Sequence, residues 1–114
     1  MTRAITMAAL AFGALILAGP TSAGAEEPQT FELAIKGQAF VPGEIHVTAG
    51  KPFILKLKNE NDAPVELEGK ELKIEKVVAG KSEIVVRVRG MKAGRYLFVD
   101  EYQEDVAKGF VIAK

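Results

Sequence analysis

The distribution of apolar and polar residues along the chain predicts short β-strands. In several runs apolar residues recur at every second position, the period of a strand with one buried face. These runs cover residues 31–35, 45–47, 53–57 and 84–88. Residues 96–99 are apolar on both faces, which predicts a strand covered on both sides, and residues 110–112 form a last apolar run. Residues 71–78 fit neither the strand nor the helix period.

Turn-forming residues separate these runs at short intervals. Pro42-Gly43, Ala49-Gly50 and the polar stretch 59–62 follow or precede apolar runs, and Gly80, Gly90 and Gly94 punctuate the second half. Glycine, proline, asparagine and aspartate favour the backbone conformations of tight turns. Short alternating strands joined by such turns predict an all-β fold, an antiparallel β-sandwich.

Residues 1–25 have the composition of an export signal. Arg3 precedes an apolar stretch, residues 4–17, and Gly19-Pro20 ends any helix there. Ala23-Gly24-Ala25 then offers the small residues that signal peptidase recognises. A retained membrane anchor is the alternative, but a spanning helix needs about 20 apolar residues. We expect cleavage after Ala25, a single domain over residues 26–114 and a periplasmic location.

Composition excludes several classes of function. The 114 residues hold 15 basic and 15 acidic side chains, one His, no Trp and no Cys. Such a length allows one small domain. The balanced charge gives no basic surface for nucleic acid. Without Cys there is no disulfide, thiolate nucleophile, iron–sulfur cluster or thiolate-ligated metal.

Two segments resemble the cupredoxins. Residues 40–50 are similar to the opening F-x-P-x-x-I-x-V-x-x-G of that family, and residues 94–98 are similar to its G-x-Y-x-F strand. The resemblance extends over roughly residues 31–114. It implies a Greek-key β-sandwich of cupredoxin type.

The ligands of a blue-copper centre are absent from the corresponding positions. Such a centre needs two imidazoles and a thiolate, often with an axial Met. By resemblance Asp100 or Glu101 stands near the Cys position, Gln103 near the second His, and Val106 or Ala107 near the Met. No His occurs at 65–67, where the first would fall, and the single imidazole, His46, is expected on an outward face. Type 1 copper is therefore excluded.

A narrower resemblance concerns two acidic stretches, residues 66–77 and 100–109. They are similar to a subgroup of periplasmic cupredoxin-like proteins associated with bacterial oxidase-dependent iron permeases. The resemblance implies binding of an iron or copper ion through acidic residues, with ferrous-iron oxidation or delivery to a membrane iron permease. Gln103 stands where the subgroup has His, and Asp100 where it has Gly.

The density of carboxylates supports an ion site independently. Glu66 and Glu68 are two positions apart, so on a strand both point to one face about 7 Å apart. Like charges at that distance repel unless a cation or a basic residue lies between them. Oxygen ligands suit hard cations, among them ferric iron, calcium, magnesium and manganese. The candidate metal ligands are Glu66, Glu68, Glu71, Glu75, Asp100, Glu101, Gln103 and Glu104.

A different interpretation of the same residues is that lysines neutralise the acids. Lys70, Lys73, Lys76 and Lys108 lie close to them in the sequence. The protein would then be a metal-free β-sandwich that serves as a binding or scaffold module of an exported complex. No catalytic residue is assigned: Ser82 has no nearby His in the sequence, and so small a domain without Trp offers little room for a sugar-binding cleft. The sequence does not indicate an oligomeric state.

Overall fold

A computed structural model describes residues 27–114 as two packed β-sheets. The predicted signal peptide, residues 1–25, lies outside this range. In spatial order the first sheet contains β2 (Ala39–Val41), β1 (Gln29–Lys36), β4 (Phe53–Asn59) and β7 (Glu83–Val88). The second contains β3 (Glu44–Val47), β9 (Lys108–Ala113), β8 (Gly94–Asp100), β5 (Val65–Gly69) and β6 (Ile74–Val78). A 3₁₀ turn, Glu101–Gln103, follows β8. No helix in residues 27–114 is long and apolar enough to span a membrane.

The predicted all-β sandwich is confirmed, but its sheets are mixed rather than purely antiparallel. β1 pairs with β4 in parallel, and β3 pairs with β9 in parallel, while the other pairings are antiparallel. The chain leaves the first sheet after β2, adds β3 to the edge of the second sheet and returns as β4. Strands separated by such a crossing need not be joined by a hairpin, so they can run in the same direction.

The core lies between the inner faces of the sheets. β4 supplies Phe53, Leu55 and Leu57 from alternate positions, as its sequence period predicts. Phe98 on β8 is fully buried, and its ring packs edge-on against Phe40 with centroids 5.0 Å apart. The alternating pattern thus translates directly into inward and outward side chains.

One polar side chain in the core is fully hydrogen-bonded. The Nδ2 of Asn59 donates to the carbonyls of Ala63 (2.9 Å), Val78 (3.2 Å) and Ala79 (3.1 Å). Its Oδ1 accepts from the backbone N–H of Asn61 at 3.0 Å. A buried amide satisfied in this way costs little and fixes the loop after β4 against the end of β6.

Two segments differ from a simple alternating pattern. The ambiguous residues 71–78 form a turn followed by the edge strand β6, in which Lys76 is exposed although it lies in register with buried Leu67. The prediction that residues 96–99 are covered on both sides is wrong at Leu97, which is 42% exposed, whereas Val99 is buried. β8 is central in its sheet, but residues 27–114 cover its outer face at Leu97 only in part.

Candidate metal site

Two carboxylates project from β5 onto the outer face of the second sheet. Glu66 and Glu68 alternate with the buried residues Val65, Leu67 and Gly69. Both glutamates are half-buried. The two-residue period of a strand therefore places both side chains on one face.

The neighbouring strands bring further acids to this face. Glu68 lies directly opposite Glu75 on β6. On the other side of β5, Leu67 pairs with Asp100, the last residue of β8. The 3₁₀ turn that begins at Glu101 therefore lies beside Glu66 and packs against β5.

Three of these acids converge. One carboxylate oxygen from each of Glu66, Glu75 and Glu101 lies within 4.8 Å of the other two. Glu66 is half-buried, and Glu75 and Glu101 are exposed. Oxygen atoms at this spacing can surround one hard cation after small side-chain movements, because such ions take carboxylate ligands at about 2.0–2.6 Å. We call these three residues the carboxylate triad.

The local electrostatics disfavour the ionised forms of Glu101, Glu68 and Tyr102. A hydrogen bond with Glu66, partial desolvation and repulsion from Glu66 raise the pKa of Glu101 above its usual value. The pKa of Glu68 is raised by partial desolvation and by the negative charge of Glu101. The pKa of Tyr102 is raised by desolvation and then by Glu66. A bound cation would reverse the repulsive contribution.

Lysines do not form contact ion pairs with the triad in the described part of the chain. In residues 27–114, four acids have a basic side chain within 4.0 Å: Glu44, Glu60, Asp62 and Glu83. The charge of Lys70 lowers the pKa of Glu68, but less than burial and Glu101 raise it. Among residues 27–114, no contact ion pair supports the interpretation that lysines neutralise these acids.

Asp100 and Gln103, two of the predicted ligands, are engaged in the protein's own hydrogen bonds. Asp100 is only 1% exposed, and its Oδ1 accepts from the backbone N–H groups of Glu66 (3.0 Å) and Tyr102 (3.2 Å). The Nε2 of Gln103 donates to Asp100 Oδ2 (2.8 Å) and to the carbonyl of Gly37 (3.1 Å). In this arrangement Asp100 positions Glu66 and the 3₁₀ turn.

Glu71 and Glu104 lie beside the triad rather than in it. Together with Glu68 they line a neighbouring groove on the same outer face. The triad thus unites three of the eight predicted residues, and Glu68 stands next to it. Tyr102, which was not among the predicted ligands, is the additional residue at the site. Its adjacency to Glu101 was the only sequence signal for it.

A type 1 copper ion does not fit this site. The chain has no Cys, and His46 lies on β3, where its Nε2 is 3.5 Å from an oxygen of Glu44. The positions that resemblance assigns to copper ligands hold the hydrogen-bonded Asp100 and Gln103 and the buried Ala107. No thiolate–imidazole set can form there.

Comparison with known proteins agrees with this architecture. The metal-binding domain of the Cu(I)-exporting P-type ATPase CopA from Streptococcus pneumoniae D39 superposes with a TM-score of 0.64 at 17% identity, over 75% of this chain and 84% of that one. Auracyanin A, a blue copper protein from Chloroflexus aurantiacus, superposes with a TM-score of 0.60 at 18% identity, over 77% of this chain and 100% of that one. At these identities the likeness concerns the fold.

Sequence comparison gives the family. An uncharacterized protein from Rickettsia prowazekii (strain Madrid E) is 30% identical over 81 residues, which cover 71% of this chain and 65% of that protein. The chain therefore spans less than two thirds of that relative. The family model described as a cupredoxin-like domain matches residues 6–113. Because this match covers nearly the whole sequence, the protein belongs to the cupredoxin-like domain family.

Proposed function

We propose that the protein is an exported, periplasmic accessory protein of metal uptake that binds a metal ion, iron in the first place, at the carboxylate triad. The observation that carries this proposal is the convergence of Glu66, Glu75 and Glu101 within 4.8 Å. A hydrogen bond with Glu66, desolvation and the negative charges of Glu66 and Glu75 raise the pKa of Glu101, and a cation would relieve the repulsive contribution. No residue is assigned a catalytic role, so the proposal is one of binding and delivery.

The choice of iron rests on ligand chemistry and on resemblance. Carboxylate oxygens favour hard cations over soft ones. The solved relatives named above include copper proteins, but the triad offers neither the thiolate nor the imidazole that copper prefers. The acidic stretches resemble those of proteins associated with an oxidase-dependent iron permease. A membrane iron permease is accordingly the proposed recipient of the ion.

The direct test is calorimetric titration of the purified protein with ferrous ion under anaerobic conditions, and with manganous and cupric ions. We expect the protein to bind one ferrous ion per chain. Glu66→Gln or Glu101→Gln should weaken this binding about tenfold or more, because each substitution removes a charged ligand. Glu32→Gln, an exposed glutamate of β1 in the other sheet, is the matched control and should bind as the wild type does.

Two results would contradict the proposal. One is the absence of binding by any of these ions at millimolar concentration, which would favour the metal-free scaffold module. The other is equal binding by the wild type and both triad variants, which would place the ion elsewhere on the protein.

A further inference from the structure

A second feature of the outer face is an apolar groove with an acidic rim. It has a volume of about 310 Å³ and lies next to the carboxylate triad. Leu97 of β8 provides its exposed apolar surface, and buried Val99 also lines it. Its other lining residues are Glu68, Lys70, Glu71 and Glu104. A volume at the small end of ligand-binding sites suits a few side chains rather than a large cofactor.

The apolar surface is unusual in its position. β8 is the central strand of the five, yet Leu97 on its outer face is 42% exposed. Leu97 pairs with half-buried Phe110 on β9, and the guanidinium of Arg95 lies 3.8 Å from the centroid of the Phe110 ring. The outer face therefore carries two neighbouring apolar side chains, Leu97 and Phe110, that the described residues cover only in part.

The rim determines the charge of what can bind. Glu68, Glu71 and Glu104 have no ion-pair partner within 4.0 Å among the described residues. Lys70 is the single cation that lines the groove within residues 27–114. A positively charged side chain placed at this rim gains attraction from several carboxylates, whereas an anionic one is repelled.

We propose that this groove docks a segment of a partner protein in which Lys or Arg side chains alternate with apolar side chains. The apolar side chains contact Leu97, and the basic ones face Glu68, Glu71 and Glu104. Neighbouring basic and apolar side chains allow one short segment to reach both the apolar surface and the acidic rim. This docking surface does not depend on metal binding at the triad.

The probes are three fluorescently labelled eight-residue peptides with alternating Lys-Leu, Lys-Ser and Glu-Leu sequences. Fluorescence anisotropy is measured with the purified protein at about 0.15 M salt, where screening suppresses weak surface attraction, and with EDTA, so that metal binding plays no part. We expect the Lys-Leu peptide to bind at least about tenfold more tightly than the other two, since only it satisfies both the apolar surface and the acidic rim.

Variants locate the binding surface. Leu97→Ser should weaken binding of the Lys-Leu peptide about fivefold or more, and so should the double variant Glu71→Gln/Glu104→Gln, whose exposed side chains are not part of the core. Val85→Ser is the matched control, because Val85 is 66% exposed on the other sheet. Its affinity for the Lys-Leu peptide should equal that of the wild type. Thermal melts test whether each variant is folded.

Several outcomes would overturn the proposal. Equal affinity for the Lys-Leu and Lys-Ser peptides would show that the apolar surface takes no part, and unchanged binding in the Glu71→Gln/Glu104→Gln variant would exclude the rim. Sedimentation velocity of the protein alone tests the other occupant, a second copy of the chain. A dimer that Leu97→Ser dissociates would assign the groove to self-association instead.

Discussion

Glu68 and Glu75 lie directly opposite each other on the antiparallel strands β5 and β6. Like charges in that position destabilise a sheet. Glu66 and Glu101 add further negative charge beside them, and no described lysine forms an ion pair with these acids. The protein thus retains a local arrangement that opposes its own stability, as functional sites commonly do.

Two acids of this face, Glu68 and Glu101, predict how stability depends on pH. The folded-state pKa values of Glu68 and Glu101 are raised, so protonation favours the folded state. Their stabilising contribution is present below the unfolded value of about 4.5 and is lost as the pH rises through the folded-state pKa values. We expect Glu101→Gln to raise the melting temperature at pH 7 in low salt and to flatten its decline between about pH 4 and 7.

The measurement is a series of thermal melts of the wild type, Glu101→Gln and the control Glu32→Gln over that pH range. Added salt should reduce the difference at pH 7, because it screens exposed charges. A melting temperature at pH 7 that is lower in Glu101→Gln than in the wild type would show that the carboxylate is stabilising and would contradict the interpretation.

Asp100 should be important for stability although its buried side chain is polar. In Asp100→Asn one side-chain oxygen remains to accept from the N–H groups of Glu66 and Tyr102. The NH₂ group replaces the other oxygen and cannot accept the hydrogen bond from Gln103. We expect a loss of about 1–3 kcal/mol in the free energy of unfolding, the usual cost of a buried donor left without an acceptor. Urea unfolding measures it, with exposed Asp105→Asn as the control, and equal stability of the two variants would argue against this role.

Phe98 tests the packing of the two sheets. It is fully buried, and its ring contacts the ring of Phe40 edge-on. Phe98→Ala should lower the free energy of unfolding by about 3–5 kcal/mol, because it removes apolar contact and leaves a cavity. Val85→Ala, at a position 66% exposed, should change it by less than about 0.5 kcal/mol. Chemical denaturation of both variants compares them, and similar losses would mean that the inner face is assigned incorrectly.

The spectrum with copper provides another test. Since the chain contains no Cys, cupric ion cannot form the thiolate bond that colours blue-copper proteins. We expect no intense absorption near about 600 nm, the region of copper–thiolate charge transfer, when cupric ion is added. A visible titration measures this directly, and a strong band there would refute the assignment.

Much of the fold could be predicted from side-chain alternation. The runs at 31–35, 53–57 and 84–88 appear as β1, β4 and β7, because burial between sheets requires that period. β6 escaped prediction because it is an edge strand whose exposed Lys76 and Val77 interrupt the pattern. The two parallel pairings could not be predicted, because turn residues specify only the connections between strands that are consecutive in the sequence.

For the candidate site too, the sequence predicted features that depend on local spacing but not those that depend on contacts between distant segments. The spacing of Glu66 and Glu68 placed both on one face of a strand. The triad, in contrast, depends on the register of β5 against β6 and on the position of the 3₁₀ turn after β8. Neither is encoded in short-range spacing. For the same reason the hydrogen bonds that engage Asp100 and Gln103 could not be foreseen.

Lys76 has a consequence for how copies of the protein meet. It occupies a position in β6 that is in register with buried Leu67, yet it is exposed at the sheet edge. A second molecule that extended the sheet by pairing with β6 would enclose its ammonium group, and burying an unpaired charge is costly. The β6 edge is therefore a poor site for strand pairing between two molecules of this protein.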